Sequence, residues 1–392
     1  VETSAAMRVR PLRRIQPRRA LRSWRPQECE EDDYEPFEAR IRRGLWCPPR
    51  LRGRDAGVVE EVNDWYFSML RDSQRNDFFW QALGRAVKGK RVVDVGAGCG
   101  LLSLMAARLG AASVVAIEAK REMCALARLN LQRNGHADTV RVVNSWSCDV
   151  ALPPEERADV IVSETLGTLL LGECAHLHLA DARKRLAQPD AVVIPARGVQ
   201  YARLIESPSL AALSHAPPQE ACHGFDLTAT NSLQDTAGLY FTKDRGVRLS
   251  SLEDVAAISP RIRLFSADFG FTEPPDIPRS MLFHFEAQHT GIVHAAITSW
   301  EAEGPEGGPL LSTDYEATRG QPWGLFRDMQ WGQGIQLVED YDAAPRRASR
   351  AAAPPPVPFK VTKGETLCLA VRLSEPDRMS MQFRVRRVRD RR

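Results

Sequence analysis

Residues Arg91 to Glu118, RVVDVGAGCGLLSLMAARLGAASVVAIE, constrain the fold more than any other part of the chain. A β-branched run of Val92, Val93 and Val95, interrupted by Asp94, ends at Gly96, Gly98 and Gly100, where an apolar helical pattern of Leu101, Leu104, Met105 and Leu109 begins. That pattern stops at Gly110, and a second apolar run, Val114, Val115 and Ile117, closes on Glu118. Strand, turn, helix and strand in that order predict a parallel βαβ unit. The glycines let the backbone turn tightly and approach a ligand, and the helix start behind them offers unpaired N–H groups. A carboxylate at the end of the second strand suits two ribose hydroxyls. Glu118 lies 22 residues after Gly96, near the spacing of the ribose acid in dinucleotide-binding folds.

G-A-G-C-G departs from the G-x-G-x-x-G of those folds, whose third glycine serves a pyrophosphate crossing. Asp94, just before the loop, suits a cationic amine better than a phosphate. The stretch resembles motif I of S-adenosylmethionine-dependent methyltransferases. After it come a helix from Arg121 to Arg133, a strand at 140–144, a strand closing at Glu164, a helix from Cys174 to Leu186 and a strand ending at Pro195. This alternation predicts a doubly wound sheet with its chemistry at the carboxyl ends of the strands, where Gly96, Glu118, Asp149 and Glu164 all fall.

At 392 residues the chain has room for two domains. Beyond Pro195 the texture is mostly β, with short apolar runs separated by Gly and Pro, which predicts a barrel or sandwich. A polar insertion at about 205–245 is too long for an ordinary connection and reads as functional or interfacial. Upstream, Val58, Val59, Val62, Trp65, Tyr66, Met69 and Leu70 recur at helical spacing. Arg75 follows them and is a candidate to pair bidentately with the carboxylate of an amino-acid ligand.

The net charge of +3 conceals an asymmetry: residues 1–25 hold eight Arg and one acid, which leaves the remainder mildly acidic. Residues 1–45, Arg-rich and then acidic, read as a disordered tail, with a nucleic-acid-binding arm, a transit peptide or a modified segment as sharper alternatives. The first residue is Val, which points to a chain trimmed or numbered from within a longer product. No apolar run approaches bilayer length, so no membrane association is expected. The eight cysteines are scattered without metal-ligand spacing, so neither disulfides nor a metal is expected and a reducing compartment fits.

The most informative later stretch is SETLGTLLLGE, residues 163–173. Glu164 and Glu173 are nine residues apart; on an α-helix nine residues turn through about 900°, which sends the side chains to opposite faces. A loop, with Gly167 and Gly172 for freedom, can bring both carboxylates to one cavity. Two carboxylates held together repel unless a cation sits between them. A planar guanidinium with five N–H donors is such a cation, and two glutamates that localise its charge leave the third nitrogen nucleophilic beside a positive sulfonium.

VVDVGAGCGLLSLMAA, VVAIEA, SETLGTLLLGE, IPARGVQYARLIE and the later LST and QWGQ together resemble the protein arginine methyltransferase family, over about residues 55–385. The resemblance implies an α/β fold. A Rossmann-like class I methyltransferase domain at 46–195 would be followed by a β-barrel substrate domain at 196–392, with a dimerisation arm at about 205–245 and hence a homodimer. It implies S-adenosylmethionine as cofactor and S-adenosylhomocysteine as product. Arg75 would hold the cofactor carboxylate, Gly96 and Gly98 would form the loop and Glu118 would bind the ribose. Glu164 and Glu173 would grip the substrate arginine. The adenine ligand stays open between Asp149 and a backbone group.

Where the family often has Thr-His-Trp, this chain reads Met329, Gln330, Trp331. Gln330 in place of His, and a double-glutamate loop poor in aromatics, resemble the type III branch, which forms only monomethylarginine. Met69 and Trp65 either narrow the pocket or are core residues of their helix. Expected substrates are arginine-containing proteins such as histones or RNA-binding proteins, without direct nucleic-acid binding, in the cytoplasm and also the nucleus. Competing readings are a dimethylating enzyme, an RNA or small-molecule methyltransferase, and a silent scaffold.

Overall fold

The computed structural model describes residues 48–318, 331–343 and 354–388. The Arg-rich segment, Met329, Gln330 and the last four residues lie outside the described residues.

The N-terminal half opens with α1 (Ala56–Glu61), a widened π turn over Val62–Tyr66, α2 (Phe67–Arg71) and α3 (Ser73–Ala86). Sequence periodicity reads this stretch as an amphipathic helix that runs on into a second short helix ending near Gly84. Asp72 divides it, because its carboxylate leaves the helix path and caps α3 by accepting from the Arg75 N–H at 2.9 Å. Then follow β1 (Arg91–Val95), α4 (Leu101–Arg108), β2 (Ser113–Glu118), α5 (Arg121–Arg133), β3 (Val140–Asn144), β4 (Ala158–Ser163), α6 (Ala175–Leu186) and β5 (Ala187–Ile194). The five strands form one sheet in the order β3-β2-β1-β4-β5, every pairing parallel. The order reverses beside β1, so a crevice opens at its carboxyl end, where the glycine loop sits. β1 and β2 are buried almost throughout, as strands covered on both faces must be.

From Arg197 onward every strand pairing is antiparallel. The strands are β6 (Arg197–Glu206), β7 (Tyr240–Phe241), β8 (Ala256–Ala257), β9 (Ile262–Asp268), β10 (Ser280–Glu286), β11 (Gly291–Val293), β12 (Ala295–Glu303), β13 (Leu310–Ser312), β14 (Gly334–Leu337), β15 (Phe359–Val361), β16 (Thr366–Leu373) and β17 (Met381–Arg387). β6 and β12 pair over nine residues at the heart of the largest sheet, which also takes in β7, β14 and β8. The molecule is thus a Rossmann-like methyltransferase-type domain followed by a β-barrel domain. One apolar core runs through both, from Val92, Ile161 and Leu170 to Trp300, Phe359 and Leu369.

The insertion between β6 and the next long strand is shorter than its polar composition suggests. Tyr240–Phe241 pairs with Gly334 and Ile335 of β14, so the excursion beyond the sheets spans 207–239 before the chain rejoins a sheet. Among the described residues all six cysteines are free, no cluster is suited to a metal ion, and no helix is long and apolar enough to cross a membrane.

Gly198 on β6 shows how closely the barrel meets the double-glutamate loop. A Cβ placed there would lie 2.5 Å from Leu170 Cδ1 and 2.8 Å from its Cδ2, and Leu170 is fully buried. Gly198→Ala is therefore expected to destabilise the protein by about 1–3 kcal/mol in urea titration, the range for overpacking a tight core. A wild-type midpoint would show that the contact relaxes freely.

Candidate active site

A cavity of about 330 Å³ opens at the carboxyl ends of β1, β2 and β4. Its floor is the glycine loop. Gly96 and Gly98 have φ of 76° and 54°, left-handed values that a side chain resists. Space also demands glycine at 98, where a Cβ would collide with the Tyr66 hydroxyl. That hydroxyl accepts from the Cys99 N–H at 2.8 Å, so the π turn and the loop are locked together. Glu118, at the tip of β2, accepts from the Gly98 N–H at 2.9 Å through one oxygen and from the Lys120 N–H at 2.7 Å through the other. It is 9% exposed and lines the cavity.

Glu164 and Glu173 line the same cavity. The chain between them doubles back: a Cβ on Gly167 would stand 3.0 Å from the Gly172 Cα, and the Gly172 N–H donates to the Leu169 carbonyl at 2.8 Å. Two buried indoles from the barrel hold the turn. Trp331 Nε1 donates to the Leu166 carbonyl at 2.8 Å and Trp300 Nε1 to the Gly167 carbonyl at 2.9 Å. The Thr168 hydroxyl returns a bond to the Trp331 carbonyl at 2.7 Å. The Gln200 side-chain oxygen accepts from the Leu170 N–H at 2.9 Å. Gly167 and Gly172 thus supply the close approach, and the barrel supplies the partners that the backbone of a buried turn requires.

Arg75 is 3% exposed and reaches into this arrangement. Its Nε and Nη2 donate to Glu164 Oε2 at 3.0 and 2.7 Å, while Nη1 donates to Asn76 Oδ1 at 3.0 Å. The other Glu164 oxygen, Oε1, accepts from the Leu166 N–H at 3.3 Å, so Glu164 enters the cavity with its position set. Glu173 differs. It lines the cavity from its accessible side. Loss of solvation, reinforced by the charge of Glu164, pushes its carboxyl up to about 8.

The structure does not bring every expected residue to the cavity. Asp94 is fully buried beneath the loop and is not among the lining residues. Its side chain points to the α4 side of the sheet, where Oδ2 accepts from the Ser103 hydroxyl at 2.6 Å, and burial pushes its carboxyl up to about 6. It therefore supports the loop from below. Asp149 is exposed, in a single helical turn after β3, and also lies off the cavity wall, because that turn carries it outward. Met69 and Trp65 both line the cavity, with Met69 buried. Gln330 is outside the described residues.

Sequence reasoning missed Tyr66, Glu61, Lys120, Met123 and Lys243, all on the cavity wall. Glu61 and Lys120 form an ion pair at its exposed edge. Their residue types are ordinary, and only the π turn, which marks functional helices, gives Tyr66 a structural signature. Trp331 was visible only as part of a motif.

A family model described as ribosomal protein L11 methyltransferase (PrmA) matches residues 80–196, the cofactor-type half. Protein arginine N-methyltransferase 7 of Danio rerio is 30% identical over 296 residues, 71% of this chain and 42% of that protein. The protein of the same name from Xenopus laevis is 28% identical over 322 residues, 78% of this chain and 43% of its own length. The chain belongs to the protein arginine N-methyltransferase family. It spans about two fifths of the length of the curated relatives it matches. The fold is shared with the Trypanosoma brucei PRMT1 enzyme-prozyme heterotetrameric complex with AdoHcy, at a TM-score of 0.61 and 20% identity over 81% of this chain and 90% of that one. Protein arginine methyltransferase 10 of Arabidopsis thaliana gives 0.59, also at 20% identity over 81% and 90%. Against that family pattern, the resemblance at Gly96, Gly98, Glu118, Arg75 and the paired glutamates falls on residues that share one cavity here.

The raised Glu173 carboxyl has a consequence for stability. The folded protein holds this proton up to about pH 8, whereas an ordinary glutamate loses it near 4.5, so the native state binds the extra proton between those values. Stability from this group is complete below about 4.5 and is lost as pH rises through 8. Glu173→Gln is therefore expected to raise the urea midpoint at pH 8 relative to wild type and to flatten its fall between pH 5 and 8. Parallel curves for the two proteins would contradict this.

Proposed function

We propose that this protein transfers a methyl group from S-adenosylmethionine to an ω-nitrogen of peptidyl arginine, forming monomethylarginine. The observation that carries the reading is that Glu164 and Glu173, from one folded-back loop, open into the same cavity as the glycine loop and Glu118. The residues present fit the cofactor. The left-handed glycine loop leaves the backbone bare beside the cavity, Glu118 presents a carboxylate for ribose hydroxyls, and Arg75 offers a buried guanidinium for the amino-acid end. Bound there, S-adenosylmethionine would supply an electrophilic methyl on a sulfonium centre.

The chain's own groups do the rest. Glu164, fixed by Arg75, presents a carboxylate whose position is set before substrate arrives. Glu173 holds a proton in the free enzyme, and an arriving guanidinium replaces that proton as its partner. Between them the two carboxylates orient the plane of the cation and draw its charge toward the held nitrogens. The remaining nitrogen keeps its electron density for attack, so positioning and electrostatics together lower the barrier. With the cofactor bound, the new N–C bond would form as the S–CH3 bond breaks and S-adenosylhomocysteine leaves, and the proton shed by the nitrogen would pass to the Glu173 carboxylate. Met69 and Trp65 crowd the wall and support a pocket that accepts one methyl.

A reading of RNA methylation gains no support from the cavity, whose charged lining of four glutamates and three cations has no basic excess for a phosphate backbone. Assembly with a second copy is supported by the apolar side chains that the excursion exposes, Phe225 at 70% and Leu233 at 84%. The free cysteines support a reducing cytoplasmic or nuclear compartment.

Glu164→Gln removes the partner of buried Arg75 and one half of the cation cage. Breaking such a pair costs about 3–5 kcal/mol, so methyl transfer to an arginine-rich peptide is expected to fall by two to four powers of ten. Mass spectrometry of the wild-type product is expected to show monomethylarginine. Normal turnover by Glu164→Gln would overturn the assignment of the cage, and abundant dimethylarginine would overturn the product class.

A further inference from the structure

Gln200, in the middle of β6, is fully buried and lies off the cavity wall. Its side-chain oxygen accepts from the Leu170 N–H at 2.9 Å, and its Nε2 donates to the Ser299 carbonyl at 2.9 Å and to the Tyr201 carbonyl at 3.3 Å. A carboxamide has one oxygen and two N–H donors, so every polar group of this side chain is committed. Gln200 stands directly opposite Trp300 in the β6–β12 ladder, so the two side chains share one face of the sheet. From that face they hold one loop: Trp300 binds the Gly167 carbonyl, and Gln200 binds the Leu170 N–H. Two residues before Gln200, on the same face, Gly198 leaves the space that the Leu170 side chain fills. β6 thus seats Leu170 twice, by its side chain and by its backbone.

This seat bears on Glu173 more than on Glu164. The Gly172 N–H donates to the Leu169 carbonyl at 2.8 Å, so Leu170 is the first corner of a four-residue turn and Glu173 is the residue that follows the turn. Glu164 is held at the other end of the loop by Arg75 and by the Leu166 N–H. Among the described residues the Glu173 carboxylate has no such ion pair, so its place follows from the backbone that carries it.

We propose that Gln200 is a positioning residue of the methyl transfer: by clamping the corner at Leu170 it sets where the Glu173 carboxylate meets the substrate guanidinium. The inference rests on the arginine methyltransferase reading and adds to it a residue that touches neither substrate nor cofactor. Gln200→Leu keeps a similar volume and removes the amide. The buried Leu170 N–H then loses its partner, and the turn that carries Glu173 loses its clamp.

The test is a double-mutant cycle on the affinity for an arginine peptide, in wild type, Gln200→Leu, Glu173→Gln and the double variant. Affinity is read by calorimetry on protein saturated with S-adenosylhomocysteine, above about pH 8, where Glu173 is ionised. Gln200→Leu is expected to weaken peptide binding about tenfold and to lower kcat/KM by a similar factor, while affinity for S-adenosylhomocysteine stays within about twofold. In the Glu173→Gln background the same substitution is expected to cost less than about threefold, because the group it positions is gone. A purely structural role gives equal losses in both backgrounds. That result, wild-type peptide affinity in folded Gln200→Leu, or a parallel loss of S-adenosylhomocysteine binding overturns the proposal alone. Gln200→Met takes the place of Gln200→Leu in the cycle if the latter does not fold, and failure of both to fold makes Gln200 a folding residue and overturns the proposal. Wild type that binds S-adenosylhomocysteine but neither binds nor methylates arginine peptides overturns the underlying reading, and the proposal with it.

Discussion

Two indole hydrogen bonds hold the centre of this molecule together. The loop from Ser163 to Glu173 leaves the parallel sheet and folds back on itself, and a buried turn of that kind must find partners for its carbonyls. Trp331 and Trp300, supplied by the barrel, take Leu166 and Gly167, and the two rings pack edge to face with centroids 4.9 Å apart. The barrel therefore shapes the site through these backbone contacts. It sets the shape of the loop, and the loop sets the separation of the two carboxylates. A change deep in either domain reaches the site through this contact.

Charge follows from that geometry. Two acids pressed toward one cavity are costly, and the protein treats them unequally. Glu164 is paired with Arg75 through Nε and Nη2, so its position is fixed. Glu173 lacks an equivalent contact and carries the raised carboxyl. This asymmetry gives the cavity one carboxylate held by an ion pair and one without such a partner. Lys243 and the Glu61–Lys120 pair set the electrostatic frame at the mouth.

What the sequence disclosed was governed by locality. The βαβ unit and Glu118 follow from short-range patterning, because strand, turn and helix signals lie next to one another and the 22-residue spacing spans a single crossover. The convergence of Glu164 and Glu173 was legible because two glycines inside an eleven-residue stretch forbid a simple helix. By contrast, Tyr66, Met123 and Lys243 come from separate segments of common residue types, and only tertiary packing brings them together. Asp94 and Asp149 lie off the cavity wall. Position at a strand end suggested ligand contact, but the alternation of side chains along β1 turns Asp94 toward Ser103, and the helical turn after β3 carries Asp149 away. The polar texture that marked the excursion also extended past its true end, since the short strand at Tyr240–Phe241 has too few residues to show a period.

The central claim is that the paired carboxylates recognise a planar cation. Calorimetric titration of the protein saturated with S-adenosylhomocysteine, using one peptide with arginine and the same peptide with citrulline, tests it most directly, because citrulline keeps the shape and removes the charge. At pH 8.5, where Glu173 is largely ionised, the account requires the arginine peptide to bind at least about a hundredfold more tightly, as expected when charge-assisted bonds to two carboxylates are replaced by neutral ones. Equal affinity for the two peptides would contradict it.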